Sequence, residues 1–128
     1  MTSETREAIE RNLASPNEDT RWQAAIRLGD HIGEAPDVVW SIVGTWGCSD
    51  DEDTSMAIAT CVLEHLLEHH FETVFPKAEA LAHQDPRFAS TILSVWRFGQ
   101  SESPANAERL DALHQALREK GRRGPTKG

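Results

Sequence analysis

The chain has 128 residues and a mass of 14.2 kDa, the length of a single domain. Its 38% hydrophobic and 27% charged residues suit a soluble globule able to bury roughly two thirds of its unfolded surface without staples. The net charge of −8 disfavours contact with phosphate backbones, and no apolar run approaches the roughly 20 residues a membrane span needs.

The charge is uneven. Residues 118–128 carry Arg118, Lys120, Arg122, Arg123 and Lys127 against Glu119, which leaves 8 basic and 20 acidic residues in the body. With Gly121, Gly124, Pro125 and Gly128, this stretch is expected to be a flexible basic tail. Met1-Thr2-Ser3-Glu4 has neither a basic start nor an apolar run, and Cys48 and Cys61 fit as reduced thiols, so a cytoplasmic location is expected.

Seven helices are expected. The first covers 3–14, with Ala8, Ile9 and Leu13 on one face, and stops at Ser15-Pro16-Asn17 because proline disfavours helical geometry in the residue before it. The second, 19–32, places Trp22, Ala25, Ile26, Gly29 and Ile32 three or four apart, with Asp19 as N-cap and Gly33 as a left-handed stop. Pro36 opens the third, 36–47, where Val39, Trp40, Ile42, Val43 and Trp46 are apolar on most sides. An acidic turn, Ser49 to Asp53, leads into the fourth at 54–69, complementing the positive end of its dipole. Phe71, Val74, Phe75, Ala78 and Leu81 mark the fifth, 71–83. Asp85-Pro86 starts the sixth, which carries Phe88, Ile92, Val95 and Trp96 and runs to near Gly99. Ser103-Pro104 opens the last, striped by Leu110, Leu113 and Leu117.

The helices carry a pattern that returns every 33 residues. Asp19-Thr20-Arg21-Trp22, Glu52-Asp53-Thr54-Ser55 and Asp85-Pro86-Arg87-Phe88 share one register, each followed by Ala24-Ala25-Ile26, Ala57-Ile58-Ala59 or Ser90-Thr91-Ile92. Such periods mark stacked helix pairs that cannot bury their apolar faces alone. The run from Leu13 to Gly29, with Asp19, Arg21, Ala24-Ala25 and Leu28-Gly29, resembles a HEAT repeat of the short bacterial type, and the likeness extends over about residues 5–100. Arg87 and Asp85 keep the pattern, while Glu52, Thr54, Val62 and Val95 depart from it. The resemblance implies an all-α, right-handed α-α superhelix (a HEAT/armadillo-like solenoid). It would hold about three hairpins plus a C-terminal capping helix within residues 1–117. It also implies that Arg21 and Arg87 tie successive repeats through acidic neighbours.

Two chemical readings compete with a scaffold. Cys61, His65 and Glu68 or His69 would share one helix face, a spacing zinc accepts, but no His-Glu-x-x-His motif and no second ligand pair accompany them. Cys48 could meet His31 or His83, yet nothing local marks it as an activated nucleophile. The acidic run Asp50–Asp53 lacks the spaced ligands and glycine of a calcium loop. HEAT-like DNA glycosylases share the scaffold but need a basic concave face, for which only Arg27, Trp96, Arg97 and the tail are available.

The expected function is non-enzymatic binding of a basic protein partner, as an adaptor or inhibitor, along a groove lined by Gln23, Arg27, Asp30, Thr60, Glu64, Trp96 and Arg97. An acidic rim steers the partner and an aromatic side chain holds it. No cofactor or metal is expected.

Overall fold

Helix α1 (Ser3–Leu13) begins where the Thr2 hydroxyl accepts the Thr5 amide, and α2 (Glu18–Gly29) where Asn17 accepts that of Thr20 at 2.9 Å. Asn17 therefore caps α2, and Asp19 lies inside the first turn, where its charge still favours the helix dipole. In the computed structural model, which describes residues 1–123, these are followed by α3 (Pro36–Trp46) and α4 (Glu52–Ile58). A π-helical segment (Ala59–Leu63) leads directly into α5 (Glu64–Gln84); α6 (Pro86–Leu93), a 3-10 turn (Gly99–Glu102) and α7 (Pro104–Arg123) complete the order. Among the described residues there are seven α-helices and no strand, so the chain is all-α.

Capping chemistry explains most boundaries. Asp51 accepts the Thr54 amide at 3.0 Å and starts α4 two residues before the expected onset. Asp85 accepts the Arg87 amide at 2.8 Å ahead of Pro86, where a missing amide is harmless. Inside α5 the axis breaks at His70 (φ −138°, ψ 44°), so the helices expected at 54–69 and 71–83 meet at a kink without a loop.

Three expectations are corrected. Gly33 does not end α2 in a left-handed turn, because Gly99 alone among the described residues has positive φ. Gly29 is the glycine that packing demands: a Cβ there would lie 2.8 Å from the Cys61 carbonyl, which the π segment turns toward α2. Ile26 does not face the core. It is 48% exposed, and Ala24, Ala25 and Leu28 form the inward face. Helix α6 stops at Leu93, well short of Gly99, so Val95, Trp96 and Arg97 lie outside any helix.

Helices pack mainly on chain neighbours and on helices two apart. Contacts run α1 to α2, α2 to α4 and the π segment, α3 to α4 and α5, α4 to α6, and α5 to both α6 and α7. One continuous core results, from Ile9 and Leu13 through Leu28, Ile42, Ile58, Leu63 and Leu66 to Phe71, Phe75, Phe88 and Leu110. Phe71 and Phe75 stack at 4.7 Å, and the Arg109 guanidinium covers both rings.

Trp22 and Trp46 sit at the rim of this core. Their ring N–H groups donate outward to Asp53 and Glu10. The basic tail read at 118–128 begins within α7: residues 118–123 are helical, and Lys120 donates to the His83 carbonyl. Its remainder, 124–128, lies outside the described residues.

Candidate docking surface

The connection between α6 and α7, residues 94–103, is held against α5 by polar side chains reaching across the fold. Helix α6 ends because its last carbonyls and next amides find other partners. The Ile92 carbonyl receives the Val95 amide and lies 2.8 Å from His114 Nε2. The Trp96 amide turns away and donates to Glu64 Oε2 at 2.9 Å. Glu64 is buried, and burial raises its carboxyl above the usual range against the lowering pull of that amide.

Farther along, Gln100 repairs the kink at His70. Its Oε1 accepts the Phe71 amide at 2.9 Å and its Nε2 donates to the His69 carbonyl at 2.8 Å. The kink leaves both backbone groups without helical partners, and one side-chain amide satisfies the pair. Gly99 permits the approach. At its φ of 51° a side chain is strained, and a Cβ would meet Glu68 Cγ at 2.5 Å.

What this latch presents is aromatic. Trp96 is 64% exposed on a backbone fixed at its own amide. Phe98, 37% exposed, stacks on the His65 ring at 6.0 Å and 19°. Arg97 pairs with Asp111 at 3.0 Å.

The seven expected groove residues fall into three places. Gln23 and Arg27 of α2 and Asp30, its C-cap, come together, lining a shallow depression with Asn12, Thr20 and the exposed Ile26. Trp96 and Arg97 line a separate cleft against α7, with Val95, His114, Arg118 and Arg122. Between these places, Thr60 is half-buried and donates to the Met56 carbonyl at 2.9 Å, while Glu64 points inward as the support of Trp96. Sequence reading missed Phe98, Gln100, Arg118 and Arg122. The one local hint is Gly99 directly after the Trp96-Arg97-Phe98 run.

The face read as a metal site is arranged otherwise. His65 Nδ1 lies 2.7 Å from Glu68 Oε1, and His69 Nε2 is 3.6 Å from the same oxygen. Cys61 sits half-buried in the π segment. Among the described residues no group of three His, Cys, Asp or Glu side chains is placed to hold a metal ion. The thiols lack thiolate character. Burial, reinforced by Asp85, pushes Cys48 up to about 11 while its Sγ donates to the Gly44 carbonyl, and burial also raises Cys61.

Arg21 and Arg87 bridge to acidic residues around the start of α4. Arg21 Nη2 donates to Asp53 Oδ2 at 2.8 Å, and Trp22 Nε1 donates to the same carboxylate at 3.0 Å. Arg87 pairs with Asp50 at 2.9 Å. The acidic partners, Asp50 and Asp53, flank the N-cap of α4. The Trp22 ring N–H, with Arg21 adding to it, holds the Asp53 carboxyl below its ordinary value.

Among the described residues no helix is long and apolar enough to cross a membrane. The model of DUF6869, a family of unknown function, matches residues 10–117, most of the chain, which therefore belongs to that family. No curated protein matches the chain, and no solved structure matches it.

Proposed function

We propose that this member of the DUF6869 family is a non-enzymatic binding module, a short HEAT-like right-handed superhelix that holds a basic protein partner in the cytoplasm. The pairwise packing supports the superhelical reading, since α3 packs on α4 and α5, and α5 on α6 and α7, as stacked hairpins do. Arg21 and Arg87 reach a neighbouring hairpin, in keeping with a repeat arginine.

Trp96 carries the functional reading. An indole 64% exposed would ordinarily be costly to leave in water, yet this one stands on a backbone tied to a buried carboxylate. A tryptophan exposed on a held backbone has less chain entropy to lose when a partner covers it, and tryptophans concentrate binding energy. Charge supplies the steering. Glu18, Asp19, Asp50, Asp51 and Glu52 are all exposed on the side of α2 and α4, near the exposed Ile26 and Met56 of those two helices.

The test is affinity capture with the purified chain as bait, comparing wild type with Trp96→Ala and with Arg97→Glu. A specific partner, held by wild type and lost by folded Trp96→Ala, supports the reading. Equal capture by all three baits removes Trp96 from the surface that matters.

A further inference from the structure

We propose that the cleft between residues 95–97 and the C-terminal half of α7 binds a small phosphorylated ring compound of mononucleotide size. The inference goes beyond docking of a protein and concerns a ligand the chain would bind alone.

Three observations meet there. First, the cleft has a volume of about 480 Å³, within the range that small ligands occupy. Second, one wall carries the Trp96 ring, exposed on a backbone held through its amide, a platform for a planar ring. Third, the lining as a whole is cationic in a chain whose net charge is −8: Arg97 beside Trp96, with Arg118 and Arg122 on α7, outnumber Asp111 and Glu119.

The arginines are not equally committed. Arg97 pairs with Asp111, and Glu119 accepts from Gln115 at 3.3 Å. Arg118 and Arg122 make no ion pair among the described residues, and four-residue spacing places them one above the other on α7. Two free guanidiniums suit a phosphate, whose several oxygens and near-double charge can engage both; one fork alone satisfies a carboxylate. His114 forms the buried floor. With Nε2 against the Ile92 carbonyl it keeps its ring orientation, and burial, helped by Arg118 and Arg97, favours its neutral form.

Ring stacking and phosphate pairing are separable demands, so a ligand with both should outbind one with either. Arg118 and Arg122 lie just past the segment that the family model matches, so the site is assigned to this chain and not to its family.

The experiment is calorimetric titration of the full chain with AMP, phenyl phosphate and inorganic phosphate, with tryptophan emission as a second readout. AMP should bind saturably, at least about tenfold tighter than inorganic phosphate. Trp96→Ala should erase that advantage and leave inorganic phosphate binding unchanged. The double variant Arg118→Glu, Arg122→Glu should lose all three ligands. Arg118→Gln with Arg122→Gln, which keeps helix-forming side chains, should do the same while circular dichroism stays that of wild type. No saturable binding of AMP, equal affinity for AMP and inorganic phosphate, or retention by the glutamine variant overturns the proposal. Because no partner protein is present, a null result here leaves the Trp96 docking reading standing, and loss of that reading leaves this one testable.

Discussion

The junction of α2 with α4 and the junction of α5 with residues 94–103 solve the same problem in opposite ways. At the first, backbones approach closely because Gly29 admits the Cys61 carbonyl, and charged side chains close the rim, Arg21 and Trp22 both donating to Asp53. At the second, the backbone itself is broken, at His70 and after Leu93, and polar side chains, the buried Glu64 and the exposed Gln100, replace the missing helical bonds. The first junction leaves its aromatic residue half-covered; the second leaves Trp96 in water. A latch made of directional hydrogen bonds can fix a segment without burying its side chains, which apolar packing cannot do.

The contrast predicts an order of effects. Gly29→Ala should be the most damaging, because a Cβ 2.8 Å from backbone cannot be relieved by a rotamer change. A loss of about 1–3 kcal/mol in denaturant unfolding is expected. A cost within experimental error would mean that the α2–π contact is looser than described.

Gln100→Ala should come next. It strands the Phe71 amide and the His69 carbonyl, but their exposed surroundings let water substitute in part, so about 1 kcal/mol is expected. The effect should concentrate in hydrogen exchange at Phe71; uniform destabilisation would argue against a local repair.

Glu64→Gln should be nearly neutral at pH 7, within about 0.5 kcal/mol, because the amide oxygen still accepts from Trp96 and no buried charge remains. The pH dependence separates the two proteins. A carboxyl raised by burial adds stability that is present below its unfolded value and lost as pH rises through the folded value. Wild type should show that decline upward from about pH 4.3, and Glu64→Gln should not.

Asp53 has the opposite sign. Its carboxyl is lowered by Trp22 and Arg21, so its contribution is present above the ordinary value and lost as pH falls through the folded one. The gap in melting temperature between wild type and Asp53→Asn should therefore be widest near neutrality and close below about pH 4. A gap that is constant with pH would locate the stabilisation in shape, not charge.

The residues themselves made much of this readable, and the reason is locality. Pro36, Asp85-Pro86 and the apolar stripes act within a few positions, and the helices they mark are present. The 33-residue register brought Arg21 and Arg87 to attention, and both reach acidic residues around the start of α4. Failures came where partners are far apart in sequence. The stretch Ser90 to Gly99 reads as continuous helix, and its stop depends on Glu64 and His114, 32 and 22 positions from the groups they engage. The π segment leaves no composition signal, so the orientation of Ile26 and the need for Gly29 were hidden. Arg118 and Arg122 looked like solvated tail because the helix beneath them extends past the last leucine of its stripe.

The account rests most heavily on the Trp96 backbone being held while its ring faces outward, and amide hydrogen exchange at that residue measures the hold directly. The Trp96 N–H should exchange slowly in wild type and Glu64→Gln, and become fast in Glu64→Ala. Exchange in wild type at the rate of an open peptide would contradict the fixed segment and, with it, the surface proposed to bind.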